Sequence, residues 1–120
     1  MKQKILLTGA SGGLGKKILY SQHDFSFLSP SRKELDICSN DSVQRYCEQN
    51  SFDTVIHCAA LARMGDGEQN PIQAFDINTG GTLNLVRAIS KIEQIKNTNI
   101  RFIYISTDGV YSCDQGNYSE

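Results

Sequence analysis

The sequence lacks the features that mark several large classes of protein. No long run of either charge occurs, and twelve basic against thirteen acidic residues leave a formal charge of -1, which argues against binding to nucleic acid or to a membrane surface. The first apolar run, residues 5–7, ends at Thr8 and is too short for the core of a signal peptide or for a membrane span. We therefore expect a cytoplasmic protein without nucleic-acid or membrane partners.

Clustered metal ligands are missing as well. The four cysteines lie far apart, with no CxxC pair and no Cys/His cluster at the offsets that a zinc site requires. Reduced thiols are the simpler interpretation, and we predict no metal site. His57 stands alone in a strand-like segment and is expected to be a packed side chain with satisfied hydrogen bonds.

Length and composition favour a single folded domain. The chain has 120 residues, 39% of them hydrophobic and 21% charged, which is ordinary globular usage and enough for one buried core. Internal repeats and low-complexity tracts are absent. One domain covering residues 1–120 is the expectation.

Short apolar segments alternate with helix-period segments along the chain. This alternation is typical of βαβ units around a parallel sheet covered by helices on both faces. The predicted class is α/β, a Rossmann-like doubly wound parallel sheet in three αβα layers, with strand order 3-2-1-4 and one side of the sheet uncapped. The predicted strands are residues 4–8, 25–28, 54–59 and 101–106.

The helices are predicted from caps and periodicity. One begins near residue 13; a second, capped by Ser39 or Asn40, turns Val43, Tyr46 and Cys47 inward. A polar loop, residues 63–69, is followed by a long helix from 71 to about 95, starting at a cap residue and a proline. Its predicted inner stripe is Thr82, Leu85, Val86, Ile89 and Ile92. Gly80 and Gly81 interrupt this helix, which suggests a close packing neighbour.

A glycine-rich turn directly follows the first strand. Glycines recur there at a spacing of three, and the next helix begins at once. Glycine permits positive φ and lets a pyrophosphate approach the backbone, while the helix N-terminus offers free N–H groups and a partial positive charge. The predicted dinucleotide-binding residues of this turn are Gly9, Ser11, Gly12, Gly13, Leu14 and Gly15.

Two other phosphate-binding loops do not fit this turn. A P-loop would require glycine where Ala10 stands, and Ser or Thr where Lys17 stands. The GxGxxG spacing is absent because Ser11 separates Ala10 from Gly12. A glycine-rich turn without a ligand remains the alternative.

The end of the second strand bears on the choice of cofactor. An acidic residue there would bind a ribose diol, and a basic residue would accept a 2′-phosphate. Ser31, Arg32 and Lys33 supply a hydroxyl and cations. We therefore predict NADP in preference to NAD, with Arg32 as its contact; a merely solvated loop is the alternative.

Taken together, these segments resemble extended short-chain dehydrogenases/reductases over essentially the whole chain. Residues 8–15 resemble the family's TGxxGxxG fingerprint, and residues 70–85 its long fourth helix with Asn78 as the characteristic asparagine. Residues 104–111 resemble the STDxVF strand end of the dTDP-4-dehydrorhamnose reductase branch. Further segments are similar to the family's adenine-side and strand-end contacts: Asp36, Ile37, Cys58, Ala59, Ala60 and Ser106.

The resemblance implies hydride transfer between a nicotinamide ring and a nucleotide-sugar carbonyl or alcohol. Thr107 would hydrogen-bond the reacting oxygen, and Asn78 would support the site. The family's Tyr-x-x-x-Lys pair does not occur in this sequence, and Tyr118 resembles a segment that precedes it. We therefore expect a nucleotide-binding domain that is incomplete at its C-terminal end and inactive alone. Gly109 and the Ser112-Cys113 pair depart from the branch's pattern.

Three functions remain open. The chain is the front part of a sugar-nucleotide reductase or epimerase, a regulatory dinucleotide-binding module without the chemistry, or a structural fragment that assembles through the uncapped side of its sheet.

Overall fold

The chain alternates strands and helices as the sequence predicts. A computed structural model describes residues 2–21, 23–60 and 64–106. The strands in these ranges are β1 (Lys4–Thr8), β2 (Ser26–Leu28), β3 (Thr54–His57) and β4 (Arg101–Tyr104). The helices are α1 (Gly13–Tyr20), α2 (Asn40–Gln49), α3 (Met64–Gln69), α4 (Pro71–Phe75) and α5 (Thr82–Lys96). A π-helical turn, Asp76–Gly81, joins α4 to α5.

The strands form one parallel sheet, which confirms the predicted Rossmann-like α/β class. The order is β2-β1-β3-β4, so the predicted order 3-2-1-4 is wrong: β3 pairs with β1, not with β2. Leu6 of β1 lies opposite Leu28 on one side and opposite Val55 on the other.

Burial explains the observed order. β3 is nearly as buried as β1, whereas β2 has only three residues and is partly exposed. A short, exposed strand belongs at an edge, and a buried apolar strand belongs at the centre. The sheet therefore places β3 beside β1 and leaves β2 at the edge.

The strand order also places the helices. Parallel crossovers are right-handed, and the chain moves one way from β1 to β2 but the other way from β2 to β3 and on to β4. Helix α1 therefore covers one face of the sheet, while α2 and α5 pack together on the other. Three αβα layers result, as predicted.

The main hydrophobic core lies between the sheet and the pair α2 and α5. Leu6, Val43, Val55 and Leu85 are fully buried there. Ser39 is the N-cap of α2 and accepts a hydrogen bond from the Ser42 amide (3.2 Å). Strand alternation points Ile5 and Leu7 to the opposite face, towards α1.

The long helix contains a π-helical turn where the two glycines stand. A Cβ at Gly81 would lie 2.7 Å from Ile37 Cδ1, so the predicted close neighbour exists there. Gly80 has open space beside it, which corrects the expectation for that residue. Val86 was predicted to face inward but is 45% exposed. The buried residues of α5 are instead Leu85, Ala88, Ile89 and Ile92.

Two further observations complete the fold. Residues 64–69 form the short helix α3, so the loop predicted for them is wrong. The prediction failed because this stretch has no helix-period pattern of apolar residues. Among the helices described, none is long and apolar enough to cross a membrane.

Candidate dinucleotide-binding site

The glycine turn connects β1 to α1. Gly9 has φ +71°, a left-handed conformation that residues with a Cβ rarely adopt. A Cβ at Gly9 would also lie 2.6 Å from the Ala59 nitrogen and 2.7 Å from the Cys58 carbonyl carbon. Glycine is therefore required here both by the backbone angle and by the end of β3.

Gly15 brings α1 against this turn. A Cβ at Gly15 would overlap the Gly9 carbonyl oxygen and lie 2.8 Å from Ala10 Cα. The same carbonyl accepts a hydrogen bond from the Gly12 amide (3.1 Å). The turn and the first turn of α1 thus form one tight backbone unit.

The N-terminus of α1 is suited to an anion. Its N-cap is Gly12, which has no side chain to cap the helix. The first amides of a helix have no intrahelical acceptor, and the helix dipole adds partial positive charge. A phosphate placed there could accept hydrogen bonds from the main chain.

A groove of about 640 Å³ runs along the carboxyl ends of β1, β2 and β3. It extends from the glycine turn, past the end of β2, to the loop that precedes α2. Its lining includes nine predicted cofactor contacts: Gly9, Ser11, Gly12, Arg32, Asp36, Ile37, Cys58, Ala59 and Ala60. The structure therefore brings together residues up to 51 positions apart in the chain.

The other predicted site residues that the structure describes do not line the groove. Gly13, Leu14 and Gly15 form the first turn of α1, and Ser106 is exposed just after β4. Asn78 lies in the π-helical turn, next to Ile77, which does line the groove. Thr107 falls outside the described residues.

The rim of the groove beyond β2 has a positively charged and a negatively charged residue. Arg32 is exposed and lines the groove. Glu34 also lines it, but its Oε1 accepts a hydrogen bond from the Ser31 amide (3.0 Å). Hydrogen bonds from Ser31 lower the pKa of the Glu34 carboxyl. The Glu34 carboxylate therefore interacts with the backbone of Ser31.

The loop carrying Asp36 and Ile37 is held by hydrogen bonds from two helices. The Asp36 amide donates to Ser42 Oγ on α2 (3.0 Å), and Asn84 Nδ2 on α5 donates to the Ile37 carbonyl (2.8 Å). Asp36 Oδ1 accepts from the Cys38 amide (3.0 Å). These bonds fix the wall of the groove opposite the glycine turn.

Sequence reasoning missed several residues of this site. Lys16, on α1, lines the groove, and its position directly after Gly15 was the available signal. Glu34 was also overlooked beside Arg32.

Cys58 is a free thiol, and burial raises its pKa. Within residues 2–21, 23–60 and 64–106, no three His, Cys, Asp or Glu side chains group as a metal site.

These features fit a dinucleotide. The glycine cradle leaves main-chain amides for a diphosphate, and the lining of the same groove includes the cation of Arg32. Residues 3–120 match the family described as RmlD substrate binding domain.

The chain belongs to that family.

The names of several relatives of this RmlD-family chain describe enzymes that act on nucleotide sugars. It is 33% identical over 116 residues to a GDP-6-deoxy-D-talose 4-dehydrogenase of Aggregatibacter actinomycetemcomitans, covering 93% of this chain and 38% of the relative. It is 32% identical over 114 residues to a dTDP-4-dehydrorhamnose reductase of Mycolicibacterium smegmatis, covering 92% and 32%. The chain thus spans under two fifths of these relatives.

Solved structures agree with the family. A dTDP-4-dehydrorhamnose reductase from Bacillus anthracis, in complex with NADP, superposes with a TM-score of 0.82 at 30% identity, over 96% of this chain and 40% of that one. A second reductase of that name, from Clostridium acetobutylicum, gives 0.82 at 27% identity over the same shares. Both share the Rossmann-like architecture of this RmlD-family chain.

Proposed function

We propose that this chain is the NAD(P)-binding part of a sugar-nucleotide reductase or epimerase, and that it binds NADP in preference to NAD. The proposal extends to a nucleotide-sugar substrate and to a cytoplasmic location. It treats residues 1–120 as one dinucleotide-binding domain whose catalytic Tyr-x-x-x-Lys pair belongs to a segment outside this sequence.

One observation carries the proposal. Gly9 and Gly15 allow a close backbone packing that a Cβ would prevent, and this packing puts the N-terminus of α1 beside a groove whose lining includes Arg32. Main-chain amides of that N-terminus can receive a diphosphate, and the guanidinium can receive a 2′-phosphate. A relative in complex with NADP supports the same assignment.

The proposal gives each predicted site residue a role. The turn from Gly9 to Gly15 binds the diphosphate, and Arg32 selects the phosphorylated ribose. Asp36 and Ile37 form the wall for the adenine, and Cys58 to Ala60 form the floor. When bound, the nicotinamide donates or accepts the hydride. From the family resemblance, Thr107 has the role of hydrogen-bonding the reacting oxygen, and Asn78 supports the site through the local helix geometry.

Titration of the purified chain with NADP and NAD tests the proposal. We expect saturable binding of both, with NADP bound more tightly. Arg32→Ala should weaken NADP binding about tenfold and leave NAD binding within about twofold, since a charge-assisted hydrogen bond contributes about 1.5–3 kcal/mol.

Lys33→Ala is the matched control, because Lys33 is exposed but does not line the groove. It should change NADP affinity less than about threefold. No saturable signal with either dinucleotide would end the proposal, and equal effects of Arg32→Ala on both would end the assignment of NADP.

Turnover provides a separate test. No Tyr in this sequence is followed by Lys at the fourth position, so we expect no reduction of a nucleotide sugar by residues 1–120 alone. Reading the gene beyond codon 120 should show a Tyr-x-x-x-Lys helix in frame. Turnover by the 120-residue chain would contradict the role given to the missing pair.

We also propose that the chain can associate through the uncapped side of its sheet. Among the strands described, β4 is an edge strand, and its Ile103 and the following Ile105 are 39% and 40% exposed. An unpaired, apolar edge favours pairing with another copy. Sedimentation over a range of concentrations tests this.

A further inference from the structure

A buried histidine links two threonines at the end of the sheet that forms the site. Nδ1 of His57 lies 2.6 Å from Thr8 Oγ1, and its Nε2 lies 2.9 Å from Thr82 Oγ1. Thr8 ends β1, His57 ends β3 and Thr82 begins α5. The imidazole is thus a bridge between three elements.

The protons of this bridge can be assigned by elimination. The Thr82 hydroxyl donates its single proton to the Asn78 carbonyl (2.7 Å), because a carbonyl oxygen can only accept. Thr82 must therefore accept from His57, which places the ring proton on Nε2. Nδ1 then accepts from the Thr8 hydroxyl.

The remaining lone pairs of Thr8 are used by the backbone. The amides of Cys58 and Ala59 donate to Thr8 Oγ1 at 3.1 and 3.2 Å. One directed chain of hydrogen bonds therefore runs from these two amides through Thr8, His57 and Thr82 to the Asn78 carbonyl. Each of the three side chains both donates and accepts, so that the direction of every bond depends on the others.

The surroundings keep this imidazole neutral. His57 is 2% exposed, and desolvation by burial lowers its pKa to about 4. From β4 it is faced by the rings of Phe102 and Tyr104, with centroids 6.1 and 6.0 Å away. From β1 and α5 its partners are the uncharged hydroxyls of Thr8 and Thr82. Cys58 follows it in the chain, and burial raises the pKa of that thiol, which keeps it uncharged too.

The two ends of the chain of hydrogen bonds meet the candidate site. Thr8 precedes Gly9, and Ala59, whose amide bonds to Thr8, is the residue that a Cβ at Gly9 would strike. Asn78 lies in the π-helical turn, an element that often marks functional sites. The bridge therefore joins the glycine turn, the end of β3 and the turn that carries Asn78.

We infer that His57, as the neutral Nε2–H tautomer, is a positioning residue that couples the glycine turn to the π-helical turn around Asn78. It touches neither dinucleotide nor substrate, and it acts through Thr8 and Thr82. The part of this inference that concerns dinucleotide affinity rests on the proposed function; the coupling itself does not.

The first test needs no variant. In ¹⁵N-labelled chain at pH 7, the imidazole nitrogen shifts and their couplings to the ring protons distinguish the two tautomers and the imidazolium. We expect a proton on Nε2 of His57 and none on Nδ1. A proton on Nδ1, or a charged ring at pH 7, would overturn the inference.

The second test exploits Thr82, which does not line the groove. Thr82→Val removes the acceptor for Nε2–H at nearly constant volume, and Thr82→Ser retains it. We expect Thr82→Val to shift the amide resonances of Gly9 and Ala59, across the bridge, and Thr82→Ser to leave them close to wild type. Local changes confined to α5 and the π-helical turn would overturn the coupling.

Dinucleotide titration adds a functional measurement on the same proteins. We expect Thr82→Val to weaken NADP binding about fivefold and Thr82→Ser to restore it, on the scale of one lost buried hydrogen bond. Wild-type affinity in folded Thr82→Val would overturn the link to binding. If the wild-type chain binds no dinucleotide, the proposed function fails, while the tautomer and the Gly9 and Ala59 shifts still decide the coupling.

His57→Gln and His57→Asn separate the two halves of the bridge. The longer amide of Gln can still donate towards Thr82, whereas the shorter Asn can accept from Thr8 but not reach Thr82. Because the coupling needs both halves, we expect each variant to shift the Gly9 and Ala59 amides, Gln by losing the bond from Thr8 and Asn by losing the bond to Thr82. Near-wild-type Gly9 and Ala59 shifts in folded His57→Asn would overturn the coupling.

Discussion

The two faces of this sheet are built by different means. On one face, α2 and α5 cover Leu6 and Val55 with interlocking side chains, and Leu85 is completely buried among them. On the other face, α1 is seated by the backbone of Gly15 against Gly9, and Ile103 remains 39% exposed.

Topology explains the difference. Every described crossover from β2 onwards runs in one direction and leaves its helices on the same face, so that, among the helices described, α1 alone covers the other. Helix α1 connects β1 with β2 and therefore lies over that half of the sheet. Beyond it, β3 and β4 present Ile56, Ile103 and Ile105 on a face to which the described helices do not extend. We call these three residues the open face.

The two faces of the sheet contribute differently to stability and to the candidate site. The side-chain core between the sheet and α2 and α5 supplies most of the apolar burial, so it should dominate the free energy of unfolding. The glycine contacts of α1 bury little apolar surface but set the geometry of the candidate dinucleotide groove. Changes to the two faces should accordingly have different consequences.

The largest expected effect is on the covered face. Leu85→Ala should lower the free energy of unfolding by about 3–4 kcal/mol, because a fully buried leucine leaves a cavity. Ile103→Ala on the open face is the control and should cost less than about 1 kcal/mol. Urea unfolding followed by circular dichroism measures both, and similar costs for the two would remove the contrast between the faces.

The seat of α1 should be the next most sensitive feature. Gly15→Ala places a Cβ against the Gly9 carbonyl, and we expect a loss of about 2–3 kcal/mol in stability together with the loss of dinucleotide binding. Gly13→Ala, two residues earlier, meets nothing within 4 Å and should change stability by less than about 1 kcal/mol. Thermal melts of the pair would show whether backbone contact holds α1; equal melting points would contradict it.

Acid should weaken the bridge between the covered face and the site. The pKa of His57 is lowered to about 4, below the 6.5 of an unfolded histidine, so the unfolded state takes up the proton first. Stability from this group is complete above pH 6.5 and is lost as the pH falls towards 4. Between pH 7 and pH 5 the loss should be about 2 kcal/mol.

The comparison of wild type with His57→Gln isolates this contribution, because the other titrating groups are shared. Chemical unfolding at pH 7, 6 and 5 should show a smaller fall for the variant over that range. Parallel pH profiles for the two proteins would exclude His57 as the source.

The smallest effect on stability, though not on association, is expected at the open face. Ile103→Lys should change the free energy of unfolding by less than about 1 kcal/mol, since the side chain is already partly in water. It should abolish concentration-dependent association, because a charge on an edge strand opposes pairing. Sedimentation showing a monomer for wild type at every concentration would contradict this role.

Local pattern was sufficient for much of this molecule. The four strands, the glycine turn, a cap at Ser39 or Asn40 and a helix start at Pro71 follow from residue type and spacing over a few positions. Arg32 was also found from sequence, because its distance from β2 placed it at the groove. The neighbouring Glu34 was missed, since only its rotamer decides that its carboxylate meets the Ser31 amide.

The sequence by itself determined the α/β class, the glycine turn at the junction of β1 and α1 where the candidate site lies, and the absence of a Tyr-x-x-x-Lys pair from these 120 residues, since each depends on neighbours in the chain. Only the tertiary structure decided that β3 lies beside β1, that Ile37 meets Gly81, and that His57 bridges residues 49 and 25 positions away. Those features depend on which buried surfaces meet, and a linear pattern does not encode the choice of partner across the core.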